Sequence, residues 1–456
     1  MNRRQFLNLA AGGAAAVVTS LTGCESKPSK YKIAKENLPN ILFIMADDLG
    51  YADLGCYGQK HIKTPNIDQL AAEGTRFTQC YAGSTVCAPS RSVLMTGQHT
   101  GHTRVRGNSG KVGGVGPQRR VPLKTEDVTL AEILKKEGYT TAITGKWGLG
   151  EPGTTGIPNR QGFDEWFGYL NQRNAHSYYP PFLWRNRKKQ ILEGNEDGQK
   201  KQYSHDLITE FALDFIRRHE DEPFFLYLPY TIPHAKYEIP GTEPYTEKPW
   251  PQDAKVHAAM ITRMDRDIGS IMALLKSLEI DQKTIVFFCS DNGAANRWQG
   301  LFDSSGPLRG RKRDMYEGGI RTPMIVRWPG LVPASKTSDS VWYFADVLPT
   351  LAQLLRIKPP ANIDGISIVP TLFGMEQNTS NRFLYWEFPS GGFKQAVRWR
   401  NYKAVRLAPD KPLELYDLEK DLAEQNNIAD RNPDVVAKIE AYLKTARTDS
   451  PNWPIK

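Results

Sequence analysis

Two short apolar runs, far apart in the chain, end in the same way, and this repetition limits the fold more than any other feature. Asn40-Ile41-Leu42-Phe43-Ile44-Met45 has no polar alternation. It suits a strand buried on both faces, as found in parallel sheets covered by helices. Ala46-Asp47-Asp48-Leu49-Gly50 follows at its end. Thr284-Ile285-Val286-Phe287-Phe288-Cys289-Ser290 repeats the design and runs into Asp291-Asn292-Gly293. Open α/β sheets gather ligands at the carboxyl ends of their strands. A helix cap or a turn would account for either acidic tip alone, but the repetition favours one shared site. Asp47, Asp48, Asp291 and Asn292 together offer hard oxygen ligands, which suit calcium or magnesium rather than thiophilic or imidazole-seeking metals. A cation there would neutralise carboxylates that could not otherwise sit close together ionised.

Between and around these runs the chain alternates helices and strands. Thr64-Pro65 opens a helix through Glu73, and Thr75 to Tyr81 is the next strand. Thr129 with Glu132 forms a capping box for Leu130 to Glu137, Gly138 stops that helix, and Tyr139 to Thr144 is a strand. Phe224 to Leu228 is another buried strand, and a longer helix from about Asp253 to Leu278 leads to the second acidic tip. This order predicts an α/β fold, a large mostly parallel sheet sandwiched by helices, over residues 40–375. Composition turns polar near Gly374, and residues 376–456 are expected to form a smaller antiparallel sheet with one helix. Its strands are expected at Phe383 to Phe388, Ala396 to Trp399, Tyr402 to Leu407 and Glu414 to Asp417, and its helix from Asn432-Pro433. The 456 residues, 40% hydrophobic, suffice for both cores and exclude a disordered chain. A net charge of +9 tolerates anionic partners, but no long basic run or zinc-finger spacing points to nucleic acid.

Residues 1–24 carry a different message. Arg3-Arg4, a small-residue apolar run from Leu9 to Val18, and Leu21-Thr22-Gly23-Cys24 have the order of a secretory signal, too short to span a bilayer. The arginine pair resembles a twin-arginine export motif, and the last four residues resemble a bacterial lipobox. The resemblance implies lipidation of Cys24, a tether over 25–39, and an exported lipoprotein that is periplasmic or on the outer membrane or cell surface, bound to the membrane through its lipid alone. Of the remaining cysteines, Cys56, Cys80 and Cys289 are expected to be small buried residues, with one disulfide possible.

The fifth cysteine opens Cys87-Ala88-Pro89-Ser90-Arg91-Ser92-Val93-Leu94-Met95-Thr96-Gly97. A turn with a buried free cysteine would be the plain reading. The stretch resembles the signature of type I sulfatases, members of the alkaline phosphatase-like superfamily. The resemblance implies that a maturation enzyme oxidises Cys87 to formylglycine, whose hydrate attacks sulfate esters, and that Cys87 joins Asp47, Asp48, Asp291 and Asn292 around one ion, usually calcium. Gly145-Lys146-Trp147-Gly148-Leu149-Gly150 resembles the family's lysine motif, and Lys312 before Tyr316-Glu317-Gly318-Gly319 resembles its second. Lys146, Lys312 and Arg91 would then neutralise the sulfate. His234, just past the Phe224 strand, would protonate the leaving alcohol, although a lone histidine is more often structural. The commoner family form has histidine where this chain has Gly148, and His102 or His176 are candidates to fill that space.

The Cys87 motif is expected to be a surface loop at a strand end. His102, Arg104, His176, Trp298, Arg309 and Arg311 are candidates to line a sugar pocket. The implied substrate is a sulfated carbohydrate cleaved in exo fashion, with a small sulfate ester as the lesser choice. A phosphate or phosphonate ester hydrolase of the same superfamily and a non-catalytic glycan-binding lipoprotein are the alternatives.

Overall fold

The computed structural model describes residues 38–110, 112–379 and 381–455. The signal, Cys24 and residues 25–37 of the tether lie outside them, while Leu38 and Pro39, expected in the tether, are buried. The strands of the large sheet are β1 (Asn40–Ala46), β2 (Thr75–Tyr81), β3 (Thr140–Lys146), β4 (Glu165–Tyr169), β5 (Phe182–Arg185), β6 (Lys188–Ile191), β7 (Phe224–Pro229), β8 (Thr284–Ser290), β9 (Arg321–Arg327), β10 (Lys336–Ser338) and β11 (Trp342–Tyr343). Their order is β10-β2-β9-β8-β1-β7-β3-β4-β5-β6, with β11 also on β2. β1 lies between β7 and β8 and is parallel to both, and β3 and β4 extend the parallel block. The expected sheet is therefore present, but its flanks are mixed: β9 runs antiparallel to β8 and β2, and β5 and β6 close the other edge as antiparallel strands.

Alternation within β1 explains the layers. Leu42, Ile44 and Ala46 point into one core, Ile41, Phe43 and Met45 into the other, and all are fully buried. The first core is covered by α1 (Pro65–Ala72), α4 (Ser204–Arg218) and the 26-residue α5 (Gln252–Ser277). The second is covered by α2 (Cys87–Thr96) and α3 (Leu130–Lys136), whose capping box between Thr129 and Glu132 forms as predicted. Each fully buried aliphatic or aromatic side chain contributes about 1.5–3 kcal/mol, so Phe43→Ala would cost about 3–5 kcal/mol.

The second sheet, β12 (Phe383–Phe388), β13 (Lys394–Trp399), β14 (Tyr402–Arg406) and β15 (Glu414–Asp417), is antiparallel throughout and carries α6 (Pro433–Leu443) on one face. Its other face, with Leu384, Trp386, Ala396 and Val405, joins the second core. Trp386 Nε1 donates to the Ala82 carbonyl at 2.8 Å, bracing the chain just before Cys87. Among the described residues no helix is long and apolar enough to cross a membrane. Cys80 and Cys289 are buried and free, and Cys56 is half-buried and free.

Candidate active site

Three neighbouring parallel strands must end on the same edge of the sheet, and that edge is where the acidic tips meet. The Asp291 N–H donates to the Ala46 carbonyl, continuing the β1–β8 ladder, and the Asp48 N–H donates to Asp291 Oδ1 at 3.2 Å. Asp48 has φ +65°, a left-handed turn that Asp tolerates better than most residues. The chain after β7 closes the third side, with the Asp47 N–H donating to the Ile232 carbonyl at 3.1 Å.

Cys87 does not lie on a surface loop. It is the first residue of α2, 1% exposed, and every residue of that helix is buried. The motif looks hydrophilic in sequence, yet its polar groups are satisfied internally: Ser90 Oγ accepts from the Gly83 N–H at 3.0 Å, Ser92 Oγ meets Thr103 Oγ1 at 2.6 Å, and Arg91 pairs with Asp291. Gly97 ends the helix at φ +69°. The start of α2 thus turns its positive dipole end toward the acidic edge.

Around Cys87 the charges alternate. Its Sγ lies 3.3 Å from Asp47 Oδ1 and 3.5 Å from Lys312 Nζ. Lys312 also holds Asp48 at 2.6 Å, Lys146 pairs with Asp47, and Arg91 reaches Asp291 Oδ2 at 2.8 Å while donating to the Lys146 carbonyl. Burial alone would raise the Asp47 carboxyl, but Lys146, His234, Arg91 and Lys312 hold it well below the usual carboxylate range. Asp291 goes the other way, to about 6, because burial and the Asp47 charge outweigh Arg91. Burial, with Asp291 and Asp47, pushes the Cys87 thiol up.

The residues fit a divalent cation. Asp47, Asp48, Cys87 and His234 bring ligand atoms within 4.8 Å of one another. Asn292 Nδ2 donates to Asp48 Oδ1 at 2.7 Å, which leaves its Oδ1 buried with no hydrogen-bond partner. Three buried carboxylates and an orphaned amide oxygen are a hard donor set.

His234 faces the same centre, with Nε2 3.4 Å from Asp48 Oδ2 and Nδ1 donating to the Ala235 carbonyl. His176 stacks on it, ring centroids 4.3 Å apart. Burial lowers both imidazoles, His176 to about 3, so both favour the neutral form.

The structure treats the other candidates differently. His102 binds Asp364 at 2.8 Å and stacks on His99, and Arg104 pairs with Asp127. Trp298 belongs to an aromatic cluster with Tyr237, His257 and Phe302. Arg309 stacks 3.7 Å over Tyr316 and donates to Tyr416 and the Glu424 carbonyl, so it ties the second sheet to the first. Arg311 is exposed, and its backbone N–H donates to Asp314. Neither His102 nor His176 stands over Gly148. That place belongs to Gln172: Gly148 has φ +87°, and a Cβ there would meet Gln172 Nε2 at 1.8 Å. Arg120 and Glu151, both buried near this wall, escaped sequence reasoning because no motif distinguishes them from their solvated neighbours.

Comparison with known proteins agrees with this arrangement. The Sulfatase family pattern matches residues 39–357, and that of N-sulphoglucosamine sulphohydrolase, C-terminal, matches residues 310–449. The chain is 30% identical to the N-acetylgalactosamine-6-O-sulfatase of Bacteroides thetaiotaomicron, covering 94% of this chain and 97% of that protein. It is 32% identical to human arylsulfatase A, covering 90% and 88%. The crystal structure of Ps i-CgsB in complex with k-i-k-neocarrahexaose superposes with a TM-score of 0.80 at 29% identity, covering 92% of this chain and 95% of that one. A sulfatase pattern over most of the chain, near full-length relatives and this edge of alternating charges give one conclusion: the chain belongs to the sulfatase family and is a sulfuric ester hydrolase.

Proposed function

We propose that the protein releases sulfate from a sulfated carbohydrate, using formylglycine formed at Cys87 and a divalent cation, calcium first, held by Asp47, Asp48, Asp291 and Asn292. The observation that carries this reading is the placement of Cys87 at the start of α2, between Asp47 and Lys312, with Lys146, Arg91 and His234 around the same edge. A carbohydrate substrate is favoured by relatives named for N-acetylgalactosamine sulfates and by a similar structure bound to a neocarrahexaose.

A sulfate monoester repels nucleophiles through its own charge, so the site must neutralise it before attack. Lys146 and Lys312 are fixed by Asp47 and Asp48 and need no reorganisation to meet sulfate oxygens. Arg91 stays on Asp291 and holds the Lys146 backbone, so it acts by keeping the two strand ends in register. The cation, when bound, supplies charge that polarises a sulfate oxygen. Hydrated formylglycine supplies an attacking hydroxyl and a second hydroxyl whose deprotonation releases sulfate. His234, whose Nδ1–H is engaged by the Ala235 carbonyl, must first take up a second proton at Nε2, beside Asp48, and then gives that proton to the departing alcohol. Cys24, outside the described residues, would anchor the exported enzyme where it meets glycans.

Mass spectrometry of the peptide holding position 87, from a host able to form formylglycine, followed by sulfate release from a panel of sulfated sugars, tests the reading. Unmodified cysteine in active protein would refute the nucleophile. Faster turnover of phosphate or phosphonate esters than of every sulfate ester would refute the substrate class.

A further inference from the structure

Among the described residues the other buried arginines have partners for their guanidinium groups: Arg91 with Asp291, Arg106 with Glu387, Arg321 with Glu317, Arg327 with Asp281, and Arg398 with Tyr81 and Gln79. Arg120 is the exception. Its side chain is 7% exposed, and Nε and Nη1 have no hydrogen-bond partner among the described residues. Glu151 attracts it electrostatically but forms no ion pair with it, and burial lowers the guanidinium while raising the Glu151 carboxyl. A desolvated guanidinium without partners is unfavourable unless something else fills its donor fork.

The position of Arg120 is set by a wall built from the loop between α2 and α3. The Ala88 N–H, one residue past Cys87, donates to Asn108 Oδ1 at 2.9 Å. The Gly110 N–H donates to the Arg119 carbonyl at 2.8 Å, and Val115 and Arg120 exchange backbone hydrogen bonds. The Leu123 N–H then donates to the Leu149 carbonyl at 2.9 Å. Arg120 is therefore fixed between the start of α2 and the chain leaving β3.

Gln172 stands against the same chain, its amide over Gly148. Trp147 and Gly148 donate to the carbonyls of Tyr169 and Leu170, which brings the chain after β4 alongside. Its amide is 3% exposed, and both Oε1 and Nε2 lack hydrogen-bond partners. Gly148, without a side chain, leaves the space it occupies. Two free guanidinium nitrogens and an amide with both polar atoms free thus lie along the chain that leaves Lys146, without a hydrogen bond to Asp47 or Asp48.

We propose that Arg120, with the Gln172 amide, forms a recognition site for a second anionic group of the substrate, a carboxylate or a further sulfate, separate from the sulfate ester that is hydrolysed. Resting on the carbohydrate sulfatase reading above, this assigns the substrate class as a glycan bearing at least two anionic groups. The planar guanidinium matches the paired oxygens of either group, and Gln172 would hydrogen-bond a neighbouring sugar hydroxyl.

The test compares kcat/KM of the mature enzyme on a monosulfated hexosamine, the same sugar linked to a uronic acid, and a disulfated hexosamine. The wild type should prefer one of the two doubly charged sugars, and whichever it is identifies the second group as carboxylate or sulfate. In Arg120→Gln that preference should fall about 10- to 100-fold, mainly through KM, with partial recovery in Arg120→Lys. No preference in the wild type, or equal losses on all three sugars, would overturn the proposal. Calorimetric binding of both doubly charged sugars to Cys87→Ala, with and without Arg120→Gln, separates the two readings. Binding that needs Arg120, beside a wild type that releases no sulfate, would sink the hydrolase reading and keep the subsite. Binding indifferent to Arg120 would remove the subsite and leave the hydrolase reading standing. Circular dichroism of each variant guards against misfolding.

Discussion

Cys87 Sγ lies 3.3 Å from Asp47 Oδ1, although one residue begins a helix and the other ends a strand on a different segment of chain. Neither is exposed, so any nucleophile made at position 87 forms already in contact with the acidic edge. Replacing the cysteine should therefore remove the chemistry more than the fold. Cys87→Ser, nearly the same size, should lower sulfate release by more than about 10³-fold, because serine has no second oxygen on the same carbon. Its thermal unfolding should stay within a few degrees of the wild type. Near-normal turnover by Cys87→Ala would end the formylglycine reading.

Removal of divalent ions should abolish activity, and calcium should restore it. The same titration should raise the unfolding temperature, because an ion that binds only the folded edge stabilises it by about 2.7 kcal/mol at 100 times its Kd. Full activity in a sample shown by elemental analysis to hold no metal would contradict this.

His234 gives a kinetic signature that a structural histidine would not. His234→Gln should lower kcat/KM on sugar sulfates, whose alcohol leaves poorly, by about 10²- to 10⁴-fold. An aryl sulfate with an acidic phenol needs little help from a proton donor and should lose much less. Equal losses on both would mean that His234 only supports the fold or the ion.

Gly148 and Gln172 should be coupled. Gly148→Ala forces a Cβ into the Gln172 amide at φ +87°, and should cost at least about 1–2 kcal/mol. Gln172→Gly removes the clash and should return part of that loss. Differential scanning of the two single variants and the double variant measures the coupling, and strict additivity would refute it.

His99 should make the protein sensitive to mild acid. It is 4% exposed, and burial first, with the neighbouring His102, lowers its imidazole to about 4 from 6.5 against the pull of Asp364. The unfolded chain therefore binds this proton at a higher pH than the folded one. The resulting stability is present above pH 6.5 and is lost as pH falls toward 4, a contribution on the order of 3 kcal/mol. His99→Gln should flatten the fall of unfolding temperature over that window relative to wild type. A slope equal to the wild type's would refute the assignment.

The sequence by itself determined the pieces whose signals are local. Continuous apolar runs mark β1, β7 and β8 because a strand buried on both faces has no solvent side to encode. The Thr129–Glu132 capping box marks the start of α3 because its hydrogen bonds close within four residues. The acidic tips and the Cys87 motif were legible for the same reason.

The tertiary structure alone decided which side chains meet. Sheet order sets β1 between β7 and β8, and only that order puts His234, Asp48 and Asp291 on one edge. It also buries Cys87 where the polar motif suggested a surface loop, sends His102 to Asp364 and Arg309 to Tyr416, and gives the Gly148 space to Gln172. Local pattern records periodicity and turn chemistry, whereas partners far apart in sequence are chosen by how layers stack. A lone arginine such as Arg120 becomes informative only when its surroundings show that nothing pairs with it.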